Sequence, residues 1–235
     1  KAQGQLGPPI IAATGTVYVG SSSTLYALAG DTGKEQWSLA LPTGGNPPAI
    51  GADGTLYVGS SSGFQMKPSD GLHALDSATG KEKWLFSAAA ATAVTIGGDG
   101  AVYFGDSAGV VYAIEGATGK KRWSYAAGVP LSGALTVGLD GSVYFGLTPS
   151  GNLVFEGKVI ALRPDGTRRY SVTSGGYPAR GVVLRNDGTL YFGTWWPQHD
   201  PNIANIFALH GDTGLEGAQG GVGDLGADAV AADEG

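Results

Sequence analysis

No cysteine occurs anywhere in the 235 residues, which removes disulfides, thiolate nucleophiles and sulfur-ligated metals from consideration. No apolar run approaches the roughly 20 residues that a membrane helix requires, and no segment carries the 3.6-residue apolar period of an amphipathic helix. Charge is scarce as well, at 14% Asp, Glu, Lys and Arg, so most positions are left to apolar, small or turn-forming residues. Six of the 20 acids lie between Gly211 and Gly235 with no Lys or Arg among them, and the remaining fourteen face fourteen bases. A balanced body with no basic stripe argues against nucleic-acid binding, whose affinity comes largely from neutralised phosphates. Lys1 to Leu6 lack the apolar stretch of a signal peptide, and the expectation is that any targeting segment has been removed or was never there.

What the chain has in abundance is glycine, 42 residues of it, and the glycines frame a repeat. Gly54-Thr-Leu-Tyr-Val-Gly59 recurs as Gly15-Thr-Val-Tyr-Val-Gly20, Gly100-Ala-Val-Tyr-Phe-Gly105, Gly141-Ser-Val-Tyr-Phe-Gly146 and Gly188-Thr-Leu-Tyr-Phe-Gly193. The tyrosines 18, 57, 103, 144 and 191 are spaced by 39, 46, 41 and 47 residues, a period that signals a repeat architecture.

Each unit divides into four short segments. An apolar stretch, strand A, runs into Asp53-Gly54, Asp99-Gly100, Asp140-Gly141 or Asp187-Gly188, or the looser Thr14-Gly15. Asp-Gly between apolar segments predicts a two-residue type I′ hairpin, because both residues tolerate positive φ. The hexapeptide is strand B. Strand C reads Leu25-Tyr-Ala-Leu28, Leu72-His-Ala-Leu75, Val111-Tyr-Ala-Ile114, Val159-Ile-Ala-Leu162 and Ile206-Phe-Ala-Leu209, with an internal Ala each time where a larger side chain would overpack. A turn containing Gly33, Gly80, Gly119, Gly166 or Gly214 follows, and four residues beyond it come Trp37, Trp84, Trp123 and Tyr170, with Ala218 in the fifth unit. Four short strands in about 40 to 45 residues is the arithmetic of a β-propeller blade. The fold class expected is therefore all-β, a propeller of about five four-stranded antiparallel blades near 8–45, 46–91, 92–130, 131–176 and 177–216. Trp37, Trp84, Trp123 and Tyr170 are expected to wedge between blades. Lys1 to Leu6 are a candidate strand for closing the ring against the fifth blade. The Gly-, Ala- and Asp-rich stretch 217–235 reads as a tail or linker too poor in apolar surface to order alone.

Strand B as Val-Tyr-Val-Gly-Ser, strand C as Leu-Tyr-Ala-Leu-Asp and the closing Ala-Thr-Gly-Lys-x-x-Trp together resemble the pyrroloquinoline-quinone-like (PQQ-like) repeat family over roughly residues 8–215. The likeness is close in the first three units, degraded in the fourth and half lost in the fifth. The family's repeat builds quinoprotein alcohol dehydrogenases, a lipoprotein that assists outer-membrane protein assembly, and sensor domains attached to kinases, so the resemblance implies a fold and leaves the chemistry to the site. It also implies what a dehydrogenase of this family would carry, usually eight blades, often a vicinal cysteine pair on the quinone, and Ca²⁺ held by carboxylate and amide oxygens beside a catalytic Asp. This chain has five units, no cysteine, and no Asp/Glu/Asn cluster outside turn positions. The expectation is a non-enzymatic member resembling the assembly lipoprotein and the sensor propellers, with no cofactor and no metal, in the periplasm or outside the cell.

Function is expected in the connections between strands B and C, which are short in units one and three but long at Ser60–Gly71, Leu147–Gly157 and Thr194–Asn205. The second unit offers Phe64, Met66 and Lys67 there, the fourth Phe155, and the fifth Trp195, Trp196, His199, Asp200 and Asn202. Apolar and aromatic side chains rimmed by polar ones suit a protein partner. The alternatives are carbohydrate stacking on Trp195 or Trp196 with Asp200 or Asn202 bonding hydroxyls, a Trp pair that merely plugs a channel or covers a blade edge, and a diverged quinoprotein dehydrogenase. His73 takes the strand C slot held elsewhere by Tyr or Phe and reads as a packed substitute. His199 beside Asp200 has neither zinc spacing nor a nucleophile partner. The turn aspartates read as bonded to backbone.

Overall fold

The computed structural model describes residues 6–61, 67–89, 93–131, 133–147, 157–173, 177–195 and 204–210. Five antiparallel sheets succeed one another in chain order, four of them four-stranded and the fifth three-stranded among the described residues. The first holds β1 (Ile10–Ile11), β2 (Thr16–Gly20), β3 (Leu25–Ala29) and β4 (Glu35–Leu39), and the second β5 (Ala49–Ile50), β6 (Thr55–Ser60), β7 (Gly71–Asp76) and β8 (Glu82–Ser87). The third holds β9 (Thr95–Ile96), β10 (Ala101–Gly105), β11 (Val110–Glu115) and β12 (Lys121–Ala126), and the fourth β13 (Thr136–Val137), β14 (Val143–Leu147), β15 (Lys158–Leu162) and β16 (Arg168–Thr173). The fifth holds β17 (Tyr177–Leu184), β18 (Thr189–Trp195) and β19 (Ala204–His210). Each sheet runs in simple meander order, so every hexapeptide lies beside its own strand C. Of the segment proposed for ring closure, Leu6 bridges Ser21 of the first sheet, and residues 1–5 lie outside the described set.

The turns between strands A and B differ from the two-residue expectation. Gly54 N–H donates to Gly51 O at 3.0 Å and Gly51 N–H donates to Thr55 O at 2.8 Å. With Ile50 facing Leu56, the loop is three residues long. Such a loop is ordinarily a type I turn followed by a left-handed residue, and here Gly54 takes that place at φ +78°. The aspartate has a different task, since its carboxylate accepts Thr55 N–H at 3.0 Å and the Thr55 hydroxyl at 2.7 Å. Asp140 does the same for Ser142, at 2.9 and 2.7 Å, and Asp187 accepts Thr189 N–H at 3.0 Å. In the second, fourth and fifth units a hydroxyl residue therefore follows the glycine as the aspartate's partner, whereas Ala101 stands there in the third.

A recurrent irregularity sets the aromatic row. The register between strands C and D slips at Ala27/Leu28, Ala74/Leu75 and Ala161/Leu162. Trp37 pairs with Ala27 but Leu28 pairs with Glu35, which leaves Gln36 as the extra residue of a bulge; Lys83 and Arg169 hold the same place in the second and fourth sheets. A bulge bends its strand and re-aims the next side chain. It also turns a polar residue back across the sheet, since Lys83 Nζ donates to Thr55 Oγ1 at 2.7 Å and Arg169 lies 3.8 Å from Asp140.

The register supplies a reason for the internal alanine from within the sheet. Ala27 lies between Tyr18 and Trp37, Ala74 between Tyr57 and Trp84, and Ala161 between Tyr144 and Tyr170. All three alanines are fully buried. Two aromatic rings directly opposite on the flanking strands leave room for a methyl group and little more.

The described chain forms two compact units, one of Lys1–Ile96, Gly100–Ser107 and Tyr112–Arg122, the other of Gly97–Asp99, Ala108–Val111 and Trp123–Gly235. In the first, one apolar cluster joins Tyr18, Leu25 and Ala27 of the first sheet to Leu56, Val58 and Leu75 of the second. Another joins Tyr57, Leu72 and Ala74 of the second to Val102, Phe104 and Ile114. In the other unit Tyr144, Val159 and Ala161 pack with Val182, Leu190 and Phe192. Each cluster draws on two successive sheets, because one sheet cannot bury its own faces, and each fully buried Leu, Val or Phe contributes about 1.5–3 kcal/mol.

The aromatics of strand D sit half-buried on the next sheet's turn. Trp37 Nε1 donates to Ser77 O at 3.0 Å, Trp84 Nε1 to Gly116 O at 3.0 Å, and Trp123 Nε1 to Pro164 O at 2.8 Å. A Cβ added at Gly80, Gly119 or Gly166 would strike the ring of Trp37, Trp84 or Trp123 at 2.8, 2.8 or 2.5 Å. The glycine thus serves twice, once for its positive φ and once for the face of an indole. Tyr170 packs against the cluster of the fourth and fifth sheets.

Candidate functional site

Because the strands alternate in direction, each sheet has two ends. The A–B and C–D turns occupy one, and the B–C connections and the exits from strand D occupy the other. The roots of the B–C connections are tied to the exits of the preceding repeat. Ser61 N–H donates to Pro42 O at 2.8 Å, Ser107 N–H to Ala89 O at 3.2 Å, and Leu131 bridges Leu147. The long connections of the second and fourth sheets therefore spring from anchored backbone.

Most residues picked out for binding fall where no placement is described. Phe64, Met66, Phe155, Trp196, His199, Asp200 and Asn202 lie outside the described residues. Lys67 is exposed and closes a tight turn, its N–H donating to Asp70 Oδ2 at 2.8 Å while Asp70 N–H donates to Lys67 O at 2.9 Å. Trp195 ends β18, its backbone paired with Tyr177 on one side and Ala204 on the other.

What the structure does bring together is a polar group at the root of the second connection. His73, expected as a packed substitute for tyrosine, is buried but bonded on both ring nitrogens. Its Nδ1 lies 2.7 Å from Glu82 Oε2, and its Nε2 lies 2.9 Å from Ser60 Oγ and 3.0 Å from Ser69 O. Ser60 Oγ also accepts Gly71 N–H at 3.1 Å and stands 3.1 Å from Ser69 O. Distances of 2.9 and 2.7 Å would suit a nucleophile, its base and the group orienting that base. Here, however, Ser60 is 1% exposed and its oxygen is engaged by the loop backbone. The arrangement fixes where the connection leaves and rejoins the sheet.

Sequence reasoning missed Ser60 and Glu82, yet a signal was present. The residue after the hexapeptide and the second residue of strand C recur at fixed places in the repeat, and in the third sheet they are Asp106 and Tyr112. Tyr112 donates its hydroxyl to Asp106 Oδ2 at 3.1 Å, and burial, together with the Asp106 carboxylate, pushes the phenol up to about 12. Lining up Ser60/His73 with Asp106/Tyr112 would have marked both as joined across the start of the connection.

The turn carboxylates are held below the usual range by the bonds already described. For Asp53 the Thr55 hydroxyl is the largest cause, then the Thr55 amide, with burial opposing and Lys83 assisting. In Asp140 burial is the largest single influence and pushes upward, but the Ser142 hydroxyl and amide, with Arg169 assisting, together bring the carboxyl below its ordinary value. Among the described residues no group of three His, Cys, Asp or Glu is placed to hold a metal. A cavity of about 310 Å³ opens at the opposite end, beside Val137, Leu139, Asp140, Tyr144, Leu184 and Arg185, and includes none of the residues picked out for binding.

The family model described as outer membrane protein assembly factor BamB matches residues 8–191. No curated protein matches the chain. Among solved structures, the computationally designed Ika8 protein superposes with a TM-score of 0.67 at 15% identity, covering 92% of this chain and 61% of that one. BamB from Moraxella catarrhalis gives 0.51 at 19%, covering 88% and 80%, and the quinohemoprotein alcohol dehydrogenase from Comamonas testosteroni 0.57 at 18%, covering 88% and 41%. The chain thus spans about three fifths of the designed protein's length and two fifths of the dehydrogenase's. At such identities the likeness speaks to fold, and the fold is a β-propeller of four-stranded antiparallel blades, about five in number.

Proposed function

The chain belongs to the PQQ-like repeat family described as outer membrane protein assembly factor BamB, and from that premise we propose that it is a non-catalytic scaffold, active in the periplasm, that grips a protein partner through its long B–C connections. The observation that carries this reading is that the second, fourth and fifth repeats all lengthen the same connection, and that the roots of the second and fourth are tied to the exit from the preceding strand D. Phe64, Met66, Lys67, Phe155, Trp195, Trp196, His199, Asp200 and Asn202 supply the contact surface, with the aromatics as anchors and the polar residues as rim.

The test is affinity capture from a periplasmic extract with the wild-type chain and with a Phe64→Ala, Phe155→Ala, Trp196→Ala variant whose thermal midpoint matches. A captured protein lost with the triple variant supports the reading. Capture unaffected by those substitutions overturns it. Glycan binding abolished by Trp195→Ala replaces it with the carbohydrate alternative, and a quinone absorbance that survives purification replaces it with the enzyme.

A further inference from the structure

The A–B turns of the fourth and fifth sheets depart from the others. The two residues before the closing turn pair are small in the first three units, Ala12-Ala13, Gly51-Ala52 and Gly97-Gly98. In the fourth they are Gly138-Leu139 and in the fifth Arg185-Asn186. Leu139 is 93% exposed, so its side chain adds nothing to the core of its own sheet. Arg185 puts a long cation where the other turns carry a hydrogen or a methyl group. The departures meet, since Leu139, Arg185 and Asn186 all line the cavity of about 310 Å³ that these two turns share.

The cavity lies within one compact unit, and its walls are held together. The Thr136 hydroxyl donates to Val182 O, which joins β13 to β17. Leu184 packs with the cluster that holds Tyr144 and Val182, and Gly138 lets it come close, since a Cβ there would stand 3.1 Å from Leu184 Cδ2. Val137, Leu139 and Leu184 supply the apolar lining. The two charged groups of the lining are opposite in sign and are not paired with each other. Asp140 accepts from Ser142 and lies 3.8 Å from Arg169, whereas Arg185 lies 3.2 Å from Asp187. Both side chains are more than half exposed, and a guanidinium with five donors has several left for a ligand.

A volume of this size stands at the small end for ligand sites and admits a small molecule. A ligand that satisfies the lining carries a cation for Asp140, an anion for Arg185 and an apolar body. We propose that the cavity binds a free α-amino acid with an apolar side chain, its carboxylate on Arg185, its ammonium on Asp140 and its side chain against Val137, Leu139 and Leu184. A residue inside a peptide chain has neither charge on its backbone, and a fatty acid or a simple amine would leave one of the two charged groups unmatched. The site lies at the opposite end of the sheets from the B–C connections and does not depend on the role assigned to them.

The test is titration of the whole chain with L-leucine, N-acetyl-L-leucine and L-leucinamide, read by calorimetry and by the methyl resonances of Val137 and Leu184. L-leucine should bind saturably and shift those methyls. N-acetyl-L-leucine, which lacks the ammonium, and L-leucinamide, which lacks the carboxylate, should each bind at least ~10-fold more weakly, as expected when a hydrogen bond to a charged group is lost. Arg185→Gln, an exposed change expected to leave the thermal midpoint in place, should weaken L-leucine by a similar factor and leave L-leucinamide unchanged, because that probe has no carboxylate to lose. No saturable shift with L-leucine overturns the proposal. So does equal affinity for either neutralised analogue, or an Arg185→Gln variant that weakens L-leucine and L-leucinamide alike.

Discussion

Trp37 donates its indole N–H to the carbonyl oxygen of Ser77, 3.0 Å away and forty residues on, and that same oxygen accepts the Tyr18 hydroxyl at 3.0 Å. One carbonyl thus receives two aromatic donors from the preceding sheet, which ties the turn of the second repeat to the rings of the first. Trp37→Phe keeps most of the apolar body and deletes the donor, and should lower stability by about 1 kcal/mol, the usual net value of such a bond. Trp37→Ala should cost about 3 kcal/mol, the lower end of the range for a core indole, because the ring is half-buried. Urea denaturation with an unchanged m-value measures both, and a neutral Trp37→Phe would show that shape alone seats the ring.

Gly80 and Gly33 separate backbone strain from ring contact. Both have positive φ, +69° and +65°, but only Gly80 lies under an indole. Gly33→Ala should therefore cost only the left-handed penalty, about 1–2 kcal/mol. Gly80→Ala should cost at least about 1 kcal/mol more, since its new Cβ would sit 2.8 Å from Trp37. Equal losses in thermal denaturation would mean that the indole gives way freely.

The repeat, its four strands and the small residue in strand C were legible because periodicity and spacing are properties of the chain itself. The turn type was not, because Asp-Gly suits both a two-residue and a three-residue hairpin. The distinguishing feature was the hydroxyl one place further on, Thr55, Ser142 or Thr189, which the aspartate needs as its partner. The bulge at Gln36, Lys83 and Arg169 was hidden for a related reason, since a constant four-residue step from glycine to aromatic does not reveal which of the intervening residues lacks a partner. Of the binding residues, sequence could say only that the connections lengthen. Ser60 and Glu82 escaped because their meeting with His73 depends on side-chain pairing across three strands.

Acid should loosen the A–B turns before the body of the sheets. The carboxyls of Asp53, Asp140 and Asp187 are held below their ordinary value in the folded chain, so their contribution is complete above the unfolded range near 4 and is lost as pH falls through the lower folded value. Thermal midpoints should hold steady at neutral pH and drop below about pH 4. Asp53→Asn keeps an acceptor for the Thr55 amide but has no charge to lose, and its midpoint should fall less steeply over the same interval. An identical slope in the variant would place the acid sensitivity elsewhere.

Ser60 and His73 test whether the root of the second connection is rigid for its own sake or in service of binding. Ser60→Ala removes the acceptor for Gly71 N–H and a neighbour of His73 Nε2 in a buried setting, which should cost about 1–3 kcal/mol. Glu82 is 48% exposed, so Glu82→Gln should cost less, under about 1 kcal/mol. Hydrogen exchange at the Gly71 amide should speed up in Ser60→Ala and hardly change in Glu82→Gln. If the connection grips a partner, Ser60→Ala should also raise the dissociation constant, though it alters no residue proposed to touch that partner, because a loosened loop must be ordered again on binding. Faster exchange with undiminished affinity would confine Ser60 to stability and separate the loop's anchoring from its use.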